Sequence, residues 1–239
     1  MALVARRRTE LEELAEQLRA VGAEPLVVQC DVAERAQVFD SGGDRADRFG
    51  SVEILVNNAG YGHHRPFLEW DLDDMEHLMQ VNFFGSLYWT KALLPRMVEQ
   101  RRGWLVFIAS VAGKIGVPDE SAYAASKFAQ VGLAEALSYE VRGCRRAGPH
   151  TVCPGTIRTP FFDAEALERM PPVAKRSMVE PEGLVDAIFK ALGNGRVRAH
   201  LPASDRRRLC HQGARAGLHA PQRQAHDDRC RARPQTMIG

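Results

Sequence analysis

The sequence predicts a single α/β domain built on a parallel β-sheet. Short apolar runs at 2–5, 26–30, 52–56 and 105–109 alternate with longer stretches whose apolar residues recur at helical spacing, the rhythm of parallel strands joined by crossover helices. At 239 residues, with 45% hydrophobic and 26% charged side chains, the chain is large enough to bury a substantial core as one domain.

Ala2-Leu3-Val4-Ala5 reads as the first strand. Arg6-Arg7-Arg8 then leads into a helix over 9–21, with Leu11, Leu14 and Leu18 on one face. Thr9 is expected as its N-cap, with acids in the first turn, and Gly22 as its stop. Residues 26–30 form the next strand, followed by Asp31. Residues 32–49 read as mostly helical, interrupted at Ser41-Gly42-Gly43. A strand covers 52–56. Leu72, Met75, Leu78, Met79, Phe83 and Leu87 place a long helix within 71–101. A strand at 105–109 and a helix over 122–141 follow.

Two segments break this rhythm. In residues 143–150, Pro149 removes a ladder N–H, which argues against a central strand. Beyond Arg196, arginine, histidine, glutamine and proline replace the apolar residues that a final strand and helix need. From Ser204 onward eight arginines face three acids, so the net charge of +2 leaves about −3 for residues 1–203. The domain is expected to span 1–203 and to be followed by a basic, disordered tail over 204–239. A shifted reading frame in a GC-rich gene would account for both segments. The other reading of the tail is a basic binding segment, but no nucleic-acid partner is expected.

The longest apolar stretches, such as 131–137, are broken by polar residues and too short to span a bilayer. No export signal opens the chain, so the expected location is the cytoplasm. Cys30, Cys144, Cys153, Cys210 and Cys230 lack metal-type spacing and are expected as free thiols. His63 and His64 point to opposite sides of an extended chain and are expected on a loop surface. No metal site is expected.

The chemistry is concentrated in Tyr123-Ala124-Ala125-Ser126-Lys127. On a helix, Tyr123 and Lys127 are i,i+4 neighbours on one face. An ammonium held near a phenol favours the phenolate and is expected to lower the tyrosine pKa toward the working range of a general acid/base. Ser110 ends an apolar run, where a parallel strand stops and open α/β sheets bind ligands. With Tyr123 it could supply the donor pair that hydride transfer requires where charge develops on a carbonyl oxygen.

Around this pair stand Asn57-Asn58-Ala59-Gly60, Val81-Asn82-Phe83-Phe84-Gly85, Val106-Phe107-Ile108-Ala109-Ser110 and Pro154-Gly155-Thr156-Ile157-Arg158-Thr159. In this order and spacing the chain resembles the short-chain dehydrogenase/reductase family over roughly residues 3–192. The resemblance implies a doubly wound, Rossmann-like parallel sheet that binds NAD(H) or NADP(H). It implies Tyr123 as proton donor or acceptor, Ser110 on the substrate oxygen, Lys127 on the nicotinamide ribose and Asn82 anchoring a water of the proton relay. Asn58, Ala59 and Gly60 would flank the cofactor, with Asp31 beside the adenine. Pro154 and Gly155 would belong to the cofactor site too, and Ile157 and Thr159 would meet the carboxamide. Arg6, following the first strand, could pair with a 2′-phosphate, so NADP(H) is favoured over NAD(H). The implied substrate is a small carbonyl compound or alcohol, apolar if Phe161 and Phe162 form a lid, and the implied assembly is a homodimer or homotetramer. No glycine-rich T-G-x-x-x-G-x-G turn precedes Leu3, so the first βα unit and its pyrophosphate cradle are expected to be missing. The alternative is accordingly a catalytically defective fragment of such an enzyme.

Overall fold

The computed structural model describes residues 1–42, 51–141, 146–162, 167–168, 170, 175–193 and 198–201. Strand β1 (Ala2–Ala5) pairs in parallel with β2 (Leu26–Gln29), Leu3 lying beside Val27. Helix α1 (Arg8–Ala20) crosses between them and buries Leu11 and Ala15 against Leu3. Its N-cap position is Arg7, with no side-chain cap, and Thr9 lies inside the first turn instead of capping it. The arginine run is held by the exposed pairs Arg7–Glu10 and Arg8–Glu12, which favours an earlier start. Gly22, at φ +84°, supplies the left-handed residue that ends the helix. Its N–H bonds Arg19 O while Ala23 N–H bonds Leu18 O.

A second parallel sheet has the order β3 (Ile54–Asn57), β4 (Arg102–Ile108), β5 (Arg146–Pro154), β6 (Arg198–Leu201). Between the sheets in sequence lies α2 (Arg35–Gly42). It includes Ser41 and Gly42, so the expected interruption begins no earlier than Gly43, and the rest of the expected 32–49 helix falls outside the described residues. The long helix expected within 71–101 is α3 (Leu72–Met79), a π-helical turn (Gln80–Phe84) and α4 (Gly85–Glu99) run together. Helix α5 (Ser121–Glu140) returns from β4 to β5, and α6 (Pro181–Gly193) precedes β6. The main core joins Leu105 and Phe107 of β4 to Leu93 and Met97 of α4 and Ala134 of α5.

Two expectations near the chain's end are overturned. Residues 146–154, including Pro149, form an internal strand paired on both sides. Val152 O accepts from the N–H of Ala109, just past β4, so by the alternation along a strand Pro149 turns its backbone nitrogen the other way. There β6 begins to pair only at Thr151, and the missing N–H costs no ladder bond. The expected loss of structure after Arg196 does not hold for residues 198–201, which add a fourth strand to this sheet. The tail 204–239, residues 143–145, and Cys144, Cys210 and Cys230 lie outside the described residues. Cys30 and Cys153 are buried thiols outside any disulfide. Among the described residues no helix is long and apolar enough to cross a membrane.

Gly103 shows how tightly α4 lies on β4, since a Cβ there would sit 2.5 Å from Met97 Cγ and 2.7 Å from its Cβ. Gly103→Ala is expected to lower the unfolding free energy by about 1–3 kcal/mol through overpacking. Met97→Ala in the same chain should then cost less than it does alone, as read from urea denaturation of the four species of the cycle.

Candidate active site

The implied site residues follow the C-terminal ends of the strands: Arg6 after β1, Asp31 after β2, Asn58 to Gly60 after β3, Ser110 after β4, and Pro154 with Gly155 at the end of β5. That edge of a parallel sheet is where successive loops converge and where ligands bind.

The π turn places Asn82. Widened by one residue per turn, a π segment projects its side chains out of register with the flanking α-helix and is frequent at functional sites. Asn82 is fully buried. Its Oδ1 accepts from Tyr61 N–H at 2.9 Å, and its Nδ2 donates to Tyr61 O at 2.8 Å and to Ser126 Oγ at 3.0 Å. Ser126 Oγ donates to Tyr123 O at 2.7 Å. Asn82 thereby staples the loop after β3 to α5. Gly60 lies in that loop so close that a Cβ would stand 3.0 Å from Asn82 Oδ1 and 3.5 Å from Lys127 Nζ.

Ser110 opens a short 3₁₀ turn (Val111–Gly113), its Oγ accepting from Ala112 N–H at 3.1 Å. The same side chain is near enough to Tyr123 to lower its pKa as a hydrogen-bonding neighbour. The Tyr123 ring packs on Phe161 at 5.7 Å between centroids, and Phe161 on Phe162 at 5.1 Å. Lys127 is buried one turn further along α5. Its Nζ donates to Ile108 O and to Gln130 Oε1, both at 2.9 Å, and stands 5.6 Å from the Tyr123 ring centroid.

The electrostatics run against one expectation. Burial pushes the Tyr123 pKa up to about 12; the Ser110 hydrogen bond lowers it and the Glu120 carboxylate raises it further. The Lys127 ammonium lies over the ring and is shared with the Ile108 carbonyl and the Gln130 amide. Burial brings Lys127 itself down to about 8, opposed by the nearby Cys153. In this structure desolvation outweighs the attraction between the two groups.

After β1 and β2, the guanidinium of Arg6 is 3.8 Å from the Asp31 carboxylate, and Asp31 Oδ1 also accepts from Ala33 N–H at 3.0 Å. Burial first, then the charge of Asp74, raises the Tyr61 pKa, while the charge of Arg6 lowers it, so Arg6 reaches electrostatically toward the loop that Asn82 holds. Asn58, Ala59 and Thr159 are exposed, and Pro154 is buried. Ile157 bridges to Val179, with Val179 N–H bonding Thr156 O and Arg158 N–H bonding Val179 O at 3.0 Å each.

Several residues at the site carried no motif signal. Gln130 and Ser86 are buried polar groups beside Lys127 and Asn82; a glutamine three residues past a functional lysine, inside an apolar helix face, was the available clue. His64, expected on a loop surface, is mostly buried, with Nε2 2.9 Å from Glu120 Oε1 and its ring stacked on Phe162 at 6.1 Å. Together with Gly62, His63, Tyr123 and Phe161, His64 and Glu120 line a narrow cleft at the tyrosine. Among the described residues no group of three His, Cys, Asp or Glu side chains could hold a metal.

Residues 1–169 match the family model described as short chain dehydrogenase. A CLA biosynthesis dehydrogenase/reductase from Lactiplantibacillus plantarum is 30% identical over 198 residues, covering 73% of this chain and 69% of that protein. A short-chain dehydrogenase/reductase from Burkholderia phymatum, solved in complex with NAD, superposes with a TM-score of 0.79 at 24% identity over 92% of this chain and 88% of that one. A gluconate 5-dehydrogenase from Burkholderia cenocepacia, solved with NADP and tartrate, superposes with a TM-score of 0.73 at 25% identity over 84% of this chain and 82% of that one. With its parallel sheets, its crossover helices and these likenesses, the chain belongs to the short chain dehydrogenase family.

Proposed function

We propose that this chain interconverts a ketone or aldehyde with an alcohol by hydride transfer to or from a nicotinamide cofactor, with NADP(H) preferred. The observation that carries the reading is the Ser110–Tyr123 hydroxyl pair at the end of β4, with Lys127 buried one turn away. Two neighbouring hydroxyls can polarise a carbonyl oxygen and pass it a proton.

The residues fit the cofactor at two of its parts. Two protons of the Lys127 ammonium are taken by Ile108 and Gln130, which leaves a third for a ribose hydroxyl, and Gly60 keeps that approach clear of a Cβ. Arg6 and Asp31 would hold the adenosine end, a 2′-phosphate competing with Asp31 for the guanidinium. Asn58, Ala59, Pro154, Gly155, Ile157 and Thr159 would line the space between. The bound nicotinamide supplies the hydride acceptor or donor. In the reducing direction Tyr123 gives its phenolic proton to the carbonyl oxygen while Ser110 polarises it. Asn82 fixes the loop and helix that frame the reaction, and Phe161 and Phe162 present an apolar wall that suits an apolar substrate. The exposed apolar residues Phe128 and Tyr139 on α5 and Val98 on α4 support a homodimer or homotetramer through those helices.

A second reading, a chain that keeps the acid/base residues without binding dinucleotide, is favoured by one feature. Among the described residues no glycine-rich turn joins a strand to a helix, and such a turn is what usually cradles a pyrophosphate with backbone N–H groups. A fluorescence titration with NADPH separates the two: micromolar binding supports the enzyme, and no binding up to millimolar concentration supports the defective chain.

Where NADPH binds, Tyr123→Phe should leave its affinity nearly unchanged and reduce carbonyl reduction by about 10²–10⁴-fold; more than about a tenth of the activity remaining would remove Tyr123 from the mechanism. Arg6→Ala should abolish most of the preference for NADPH over NADH, read as the ratio of dissociation constants. Because Lys127 has its pKa near 8, it is charged below that pH and neutral above it. Cofactor affinity should accordingly fall as pH rises through about 8, and Lys127→Met should remove that dependence.

A further inference from the structure

A fully buried glutamine needs an explanation, because an amide brought out of water without partners costs several kcal/mol. Gln130 meets that requirement in one orientation. Its Oε1 accepts from Lys127 Nζ at 2.9 Å, and its Nε2 donates to Ser86 Oγ at 2.7 Å. Ser86 Oγ passes its own hydrogen to Asn82 O at 3.1 Å, a carbonyl inside the π turn. Ser86, as the donor to that carbonyl, offers only its lone pairs to Gln130, so the amide cannot flip, and its oxygen faces the lysine.

We propose that Gln130 is a positioning residue of the active site: clamped by Ser86, its amide oxygen holds the Lys127 ammonium against the end of β4 and ties it to the turn that carries Asn82. The proposal rests on the oxidoreductase reading for the meaning of Lys127, and on geometry for the clamp. Gln130 touches no reacting atom, and an amide is a poor proton carrier, so its action runs through the lysine. With Ile108 O and Gln130 Oε1 fixing two of the three N–H vectors, the direction of the third is determined. Without Gln130 the ammonium would have one anchor in a buried site and would rotate about it.

Among the described residues, the groups facing Lys127 Nζ besides Gln130 are the Tyr123 ring from α5 itself, the Ile108 carbonyl from β4, Cys153 from β5 and Gly60 from the loop after β3. None is a carboxylate. The amide oxygen is therefore a main support of the charged form, and hydrogen bonds to a buried charged group are worth more than those between neutral groups.

The test follows the lysine directly, by ¹³Cε NMR titration of Lys127 in the full, cofactor-free chain, together with NADPH titration. In Gln130→Leu the proton affinity of Lys127 should fall at least about tenfold, and in Gln130→Glu, which puts a negative charge at the same place, it should rise at least about tenfold. The NADPH dissociation constant should rise about tenfold in Gln130→Leu and return toward the starting value in Gln130→Glu. Ser86→Ala removes one oxygen and frees the amide, so it should shift the Lys127 titration in the same direction as Gln130→Leu, by less. Should Gln130→Leu fail to fold, Ser86→Ala decides between the two roles. A Lys127 titration that moves by less than twofold in these variants, with only the melting temperature lowered, overturns the proposal and leaves Gln130 an ordinary satisfied core residue. A shifted titration in a chain that binds no NADPH supports the role of Gln130 and counts against the oxidoreductase reading alone.

Discussion

The arrangement at the end of β4 depends on the burial of one charge. An ammonium taken out of water is tolerated only where acceptors replace its hydration, and Lys127 has two, Ile108 O and Gln130 Oε1. Each then constrains something else. Ile108 is the last residue of β4, so the lysine registers α5 against the strand. Gln130 needs Ser86, which fixes the first turn of α4, and Ser86 needs the Asn82 carbonyl, which fixes the π turn. Fold and site are thus one network here.

That network also decides how Tyr123 behaves. On spacing alone, the i,i+4 lysine is a source of positive charge for the phenol. In the folded chain the same burial that orders Lys127 raises the phenol to about 12 and lowers the amine to about 8. Desolvation acts on both groups and disfavours the charged form of each. Spacing on a helix shows that two side chains share a face, but not how much water reaches them.

The sequence made legible what depends on local pattern. Residues 2–5 coincide with β1, residues 26–30 exceed β2 by one residue, and the helix over 122–141 is shifted by one residue from α5. Of the four residues proposed for catalysis, Ser110 follows the end of β4, Tyr123 and Lys127 share one face of α5, and Asn82 is tied to α5 through Ser126. What escaped depends on partners far away in sequence. Pro149 is compatible with an inner strand only because β6 starts two residues later. Gln130 and Ser86 are forty-four residues apart, and His64 meets Glu120 across two loops. The cap assigned to Thr9 failed for a local reason, the ion pairs that carry the helix back to Arg8.

The parallel strands form two sheets, β1-β2 and β3-β4-β5-β6, and among the described residues no ladder hydrogen bond crosses from one to the other. Side-chain packing joins them, most visibly at Trp89 of α4. It lies against Val28 and Val38 of the smaller sheet's layer, against Val32 and Val81, and against the core around Phe107. Apolar packing is non-directional and allows small sliding displacements that a ladder of hydrogen bonds would forbid. Arg6 and Asp31 ride on the smaller sheet, while Ser110 and the α5 residues belong to the larger. The distance between the two ends of the proposed cofactor site therefore rests on side-chain packing of α4 against the smaller sheet's layer, with Tyr88, Trp89 and Ala92 in it, and a ligand long enough to reach both would act as a crosslink between the sheets.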